Sequence, residues 1–180
     1  MLSDYQKAKF EHLFRIMDTN KDGKLDAADL ATVVERVAET RGPNVDQAHL
    51  QALSDRYTLM HQGMIAMADT DKSGDVSLGE WMTYTGKVVS DPALYRELVG
   101  SLASLFHELI DHDGDDRNDL ADYKVFLGVL QADARDADKV FRAMDQDGDG
   151  SISLADLNVV LDDFYHGKEA GPGAYFFGAF

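Results

Sequence analysis

Asp145 to Asp156 reads DQDGDGSISLAD, with aspartates at alternate positions, a glycine, and an acid closing the run. Carboxylates packed so closely repel one another unless a cation holds them. A hard divalent ion needs six or more oxygens. A twelve-residue loop supplies them from side chains at positions one, three, five and twelve, a backbone carbonyl at seven, and a side chain or water at nine. Glycine at six allows the positive φ that turns the chain around the ion. Here the candidate ligands are Asp145, Asp147, Asp149, Ser153 and Asp156, with the carbonyl of Ser151 and Gly150 at the turn.

The pattern recurs three more times, which is the constraint on the fold. Loop one, Asp18 to Asp29, offers Asp18, Asn20, Asp22, the Lys24 carbonyl, Asp26 and Asp29, with Gly23 at six. Loop two, Asp69 to Glu80, offers Asp69, Asp71, Ser73, the Asp75 carbonyl, Ser77 and Glu80 around Gly74. Loop three, Asp111 to Asp122, carries Asp111, Asp113, Asp115, Asp119 and Asp122, but Asp116 replaces the glycine. Asn118 stands at its eighth position, where the other loops have Leu25, Val76 and Ile152. Loop three therefore reads as a structural repeat or a weak site, and loops one, two and four as the three cation sites.

The loops begin at 18, 69, 111 and 145, and most have apolar residues at helical spacing on both sides. Phe10, Leu13, Phe14 and Met17 precede loop one, and Leu30, Val33, Val34 and Val37 follow it. Ser3 with Gln6 predicts a capping box at the start of the first helix. Gly42 and Pro43 terminate the second, and a long helix is expected from about Asp46. Pro92 marks the first turn of a helix into loop three.

Charge and composition narrow the function. Lys and Arg number 17 against 33 Asp and Glu, a net charge of −16, which predicts no attraction to nucleic acid or an anionic membrane. The loops hold 18 of the 33 acids, and the hydrophobic fraction of 44% argues against a disordered acidic chain. With no cysteine, disulfides and thiolate chemistry are excluded. The opening MLSDYQKAKFEHLF has neither the apolar core of a signal peptide nor a glycine for myristoylation, so a cytoplasmic protein is expected. His12, His49, His61, His107 and His112 show no metal or triad spacing, and the paired acids are explained as ion ligands, so no enzyme is expected. His166 with Tyr165 and Tyr175 is the remaining constellation of note.

The four loops with their helical flanks resemble the EF-hand superfamily. The wide spacing of loops one and two, one degenerate loop, and the tail PGAYFFG resemble the sarcoplasmic calcium-binding proteins and bacterial calerythrin. The resemblance implies an all-α fold of four hands in two pairs within one compact body. Short two-residue β-bridges should join paired loops. The expected divisions are 1–90 for the first pair, 91–166 for the second, and 167–180 for an apolar tail packed on the body. It also implies calcium buffering; a monomer is expected. Members commonly lose the second hand, whereas here the third is irregular, so the ligand list rests on this chain's own residues.

Glu80 at position twelve can offer both oxygens, while Asp29 and Asp156 are one methylene shorter. Loop two should thus be the most selective for Ca²⁺, with Mg²⁺ also accepted at loops one and four. The alternative to a buffer is a sensor that exposes an apolar groove, lined by Met60, Met64, Met67 and Met82, to a protein target.

Overall fold

Ser3 caps the first helix: its hydroxyl accepts the Gln6 N–H and the Gln6 side chain accepts the Ser3 N–H. The computed structural model describes residues 1–42 and 47–179. Pro43, Asp46 and Phe180, on which parts of the sequence reading fall, lie outside the described residues. The helices are α1 (Asp4–Met17), α2 (Ala27–Arg41), α3 (Gln47–Ala68), α4 (Leu78–Ser90), α5 (Pro92–Ile110), α6 (Leu120–Val129), α7 (Ala137–Met144) and α8 (Leu154–His166). Two short strands, β1 (Lys24–Leu25) and β2 (Val76–Ser77), complete the elements.

Each helix pair flanks one loop because the loop's end is also a helix start. Positions nine and twelve are the N-cap and third residue of the outgoing helix. All four pairs, Asp26/Asp29, Ser77/Glu80, Asp119/Asp122 and Ser153/Asp156, form reciprocal capping boxes. Gly42, with φ 75°, ends α2.

Loops one and two pair through an antiparallel bridge with Leu25 opposite Val76, both buried. Loops three and four form no strand among the described residues. There the Ile152 N–H donates to the Asn118 carbonyl at 2.8 Å. The return bond comes from a side chain: Asn118 Nδ2 donates to the Ile152 carbonyl at 3.3 Å. The expected β-bridge thus holds for the first pair and is replaced by an amide in the second.

The buried apolar residues form one cluster that runs through both pairs of hands. Polar links cross it. Trp81 Nε1 donates to the Phe10 carbonyl at 2.8 Å. Arg41 Nη2 donates to the carbonyls of Glu108 and Asp111, both at 2.7 Å, so the helix leaving loop one caps the helix entering loop three. On α1, three residues at successive turns reach C-terminal carbonyls. Gln6 Nε2 donates to Tyr165 O, Lys9 Nζ to Asp163 O and Gly167 O, and His12 Nε2 to Phe177 O.

The tail packs by its aromatic rings. Phe176 is fully buried and lies 5.5 Å from Phe106 and 5.6 Å from Phe126, centroid to centroid. Phe177 lies 5.0 Å from Phe164. Tyr123 Oη donates to the Phe176 carbonyl at 2.9 Å, and the Gly173 N–H donates to the Asp163 carboxylate. A Cβ on Gly173 would sit 2.0 Å from the Val160 carbonyl, so only glycine lets the tail approach α8.

Candidate metal centres

Four loops with different sequences share one internal hydrogen-bond pattern. The position-one carboxylate accepts the N–H of position six: Gly23 to Asp18 and Gly74 to Asp69 at 2.9 Å, Asp116 to Asp111 at 3.2 Å, and Gly150 to Asp145 at 3.0 Å. The position-three side chain accepts the N–H of position five in each, onto Asn20, Asp71, Asp113 and Asp147. At the end of the loop the position-twelve carboxylate accepts backbone N–H groups on both of its oxygens. Asp29 takes those of Thr19 and Asp26, and Glu80 those of Thr70 and Ser77. Asp122 takes those of His112 and Asp119, and Asp156 those of Gln146 and Ser153. Further donors reach three of these carboxylates: the Thr19 hydroxyl and Asn20 N–H on Asp29 Oδ1, the Thr70 hydroxyl on Glu80 Oε1, and the Ser77 and Ser153 hydroxyls on Glu80 Oε2 and Asp156 Oδ2.

These bonds aim carboxylates at common points. Oxygens of Asp69, Asp71 and Glu80 lie within 4.8 Å of one another, as do those of Asp111, Asp113 and Asp115, and of Asp145, Asp147 and Asp149. Loop one has Asn20 at position three, where the others have an aspartate, and its carboxylates are not part of any group so gathered among the described residues. The donor set is all oxygen, borne on short side chains in a fixed loop, which fits a hard divalent cation. In this geometry Asp18, Asn20, Asp22 and Asp29 would hold the ion of loop one, and Asp69, Asp71, Ser73 and Glu80 that of loop two. Asp111, Asp113, Asp115 and Asp122 would serve loop three, and Asp145, Asp147, Asp149 and Asp156 loop four. The carbonyls of Lys24, Asp75 and Ser151, and the side chains of Asp26, Ser77, Asp119 and Ser153, stand at positions seven and nine.

Loop three is closer to its relatives than its sequence implies. Asp116 adopts φ 65°, the left-handed region that Gly23, Gly74 and Gly150 occupy at the same position. Aspartate pays a steric cost there, which the bond to Asp111 offsets. Asn118 is fully buried, with its Oδ1 unpartnered among the described residues.

Position nine separates loops two and four from loop three. Ser77 and Ser153 hydroxyls donate to the position-twelve carboxylate, at 2.7 and 2.6 Å. With the Thr70 and Ser77 donors, Ser77 Oγ first among them, Glu80 is held down at about 2. Burial pushes Asp156 up, but the Ser153 hydroxyl and the Ser153 and Gln146 N–H groups together leave it lowered. Asp122 has Asp119 at position nine, an acid that donates no hydroxyl proton. Burial first, then the charges of Asp119 and Asp113, leave it raised.

Comparison with known proteins follows this geometry. A family model described as EF hand matches residues 10–34 and 137–161, the regions of loops one and four. Loops one and four thus each lie within an EF-hand match. It is 21% identical to calerythrin of Saccharopolyspora erythraea over 168 residues, 92% of this chain and 93% of calerythrin. Its fold matches a sarcoplasmic calcium-binding protein from amphioxus with TM-score 0.78 at 20% identity, covering 100% of both chains. A calcium-binding protein of Streptomyces coelicolor matches with TM-score 0.75 at 20% identity, over 89% of this chain and 97% of that one. The sequence resemblance to sarcoplasmic calcium-binding proteins and calerythrin therefore holds at the level of whole-chain architecture.

Two other features complete the description. His166 Nδ1 lies 3.1 Å from Asp162 Oδ1, and its ring lies 4.3 Å from that of Tyr95. An internal cavity of about 90 Å³ lies among Trp81, Tyr57, His61, Leu102 and Phe177. No helix among the described residues is long and apolar enough to cross a membrane.

Proposed function

We propose that this protein binds Ca²⁺ as a cytoplasmic, monomeric buffer, at loops one, two and four with a weaker site at loop three. Residues 1–90 and 91–166 act as the two pairs of hands. The tail carries the reading. Phe176 and Phe177 fill the apolar interior between the helices, which is the surface a sensor would offer to a target. Three bound ions would bring the formal charge from −16 to −10. The relatives named as calcium-binding proteins support calcium as the ion. Asp29 and Asp156 have short side chains that suit six-coordinate Mg²⁺, and Glu80 reaches for a seventh oxygen that suits Ca²⁺. Binding of a hydrophobic dye, measured with calcium and with chelator, tests the buffer reading. A buffer shows little change; a large calcium-dependent rise contradicts it.

A sensor is the second reading, and one surface favours it. Between α3 and α5 runs a groove with Met60, Met64, Leu98 and Leu105 along it, where Leu59 is 67% and Met67 42% exposed. A calcium-dependent rise in dye binding that Met67→Glu abolishes would establish that reading instead.

A further inference from the structure

Loop two alone lacks an acid at position five, and it alone has one at position seven. Positions five and seven are Asp22 and Lys24 in loop one, Asp115 and Arg117 in loop three, and Asp149 and Ser151 in loop four. In those three the position-seven N–H donates to the position-five carboxylate, at 3.0, 2.8 and 2.8 Å. Loop two reverses both the residues and the bond. Ser73 Oγ lies 3.0 Å from Asp75 Oδ1 and 3.3 Å from the Asp75 carbonyl. A carboxylate and a carbonyl can only accept, so the serine hydroxyl is the donor.

The consequence concerns the serine oxygen. A hydroxyl can hold a cation only with its lone pairs, and its proton must point elsewhere. Asp75 gives that proton a destination. The carboxylate itself is not among the three that converge in loop two, which are Asp69, Asp71 and Glu80. It is fixed instead from across the paired loop. Lys24 Nζ, from position seven of loop one, lies 2.7 Å from Asp75 Oδ2, on the edge of the β1–β2 bridge. One oxygen of Asp75 thus takes the lysine and the other the serine. The Asp75 side chain is only 19% exposed, against 50% for Lys24, so the pair is partly shielded.

We propose that Asp75 is a positioning residue for the cation of loop two: it takes the Ser73 hydroxyl proton, turning the serine oxygen toward the ion, while Lys24 holds the carboxylate in register from loop one. The inference rests on the reading that loop two binds a cation. It explains how a loop with serine at position five keeps a full ligand set, and why the acid reappears two residues on. It also ties the ligand geometry of loop two to a residue of loop one.

The full chain carries its own probe, since Trp81, the single tryptophan, follows Glu80 directly and is buried. Its fluorescence is titrated with Ca²⁺ in the wild type, Asp75→Ala, Ser73→Asp, the Ser73→Asp/Asp75→Ala double variant, Lys24→Met and Glu80→Gln. Far-ultraviolet circular dichroism monitors the fold of each. Asp75→Ala should raise the wild-type midpoint about tenfold, the loss of one hydrogen bond to a charged group. In the Ser73→Asp background, where no hydroxyl proton needs an acceptor, the same change should shift it less than about threefold. Lys24→Met should give an intermediate shift. Equal shifts in both backgrounds would show that Asp75 acts only through charge or folding and would overturn the proposal. A Trp81 transition that vanishes in Glu80→Gln but ignores Asp75→Ala sinks the positioning role and leaves the loop-two site standing. A transition absent from the wild type, or surviving Glu80→Gln, overturns the site and the proposal together.

Discussion

Asn118 donates its buried side-chain amide to the Ile152 carbonyl, 3.3 Å away, where a second backbone bond would join loops three and four. The Asn118 N–H turns instead to the Ser151 hydroxyl at 3.2 Å. Removing the amide leaves a buried carbonyl unpaired. Asn118→Ala should therefore destabilise the protein by about 1–3 kcal/mol. Asn118→Val, which restores an apolar contact with Ile152 and removes the unpartnered Oδ1, should cost less. Urea denaturation in chelator compares the two, and equal losses would mean that the amide contributes nothing.

Asp116 holds φ 65° at the position the other loops give to glycine. Asp116→Gly removes a steric cost of about 1 kcal/mol and one repelling charge without touching a ligand. Calcium affinity at loop three should rise several-fold, up to about tenfold. Titration of a variant with loops one, two and four disabled reads this directly. Unchanged or weaker binding would show that the backbone at Asp116 does not limit the site.

Phe176 packs among Phe106, Phe126 and Tyr123 with no exposed surface. Phe176→Ala should cost about 3–5 kcal/mol. It should also raise hydrophobic-dye binding in both the presence and absence of calcium, because the covered interior then opens. A loss below about 1 kcal/mol would mean that the tail rests on the body without filling it.

Burial lowers the pKa of His12, against the bond to the Phe177 carbonyl, and burial likewise lowers that of His61. Both favour the neutral ring in the folded state. Their contribution to stability is complete above about pH 6.5, the unfolded value, and is lost as pH falls through the lower folded values. The melting temperature in chelator should therefore fall between about pH 7.5 and 5.5. A His12→Gln/His61→Gln variant should show a flatter profile. An unchanged slope in that variant would assign the pH response to other groups.

The loops were legible because each ligand set lies in twelve consecutive residues, so spacing alone specifies the chemistry. The helices were legible for a similar reason, since apolar spacing and the capping pairs are local. What escaped the sequence depends on residues far apart in the chain. Gln6 and Lys9 of α1 are polar yet buried, and their carbonyl partners lie more than 150 residues away. Asn118 read as a defect at an apolar position, and its role emerges only when Ile152 is beside it. Asp75 counted as a backbone ligand, and nothing local reveals that its side chain links Ser73 to Lys24. The Asp116 backbone was half legible: aspartate tolerates positive φ, but the stabilising bond to Asp111 needed coordinates.

Calorimetric titration with Ca²⁺, repeated in excess Mg²⁺, tests the central claim most directly, because it reads stoichiometry and selectivity together. Three tight calcium ions per chain are expected, with a weaker fourth from loop three. Magnesium should compete at loops one and four and leave loop two largely unaffected. Fewer than two calcium ions per chain, or magnesium displacing calcium first from loop two, would contradict the account.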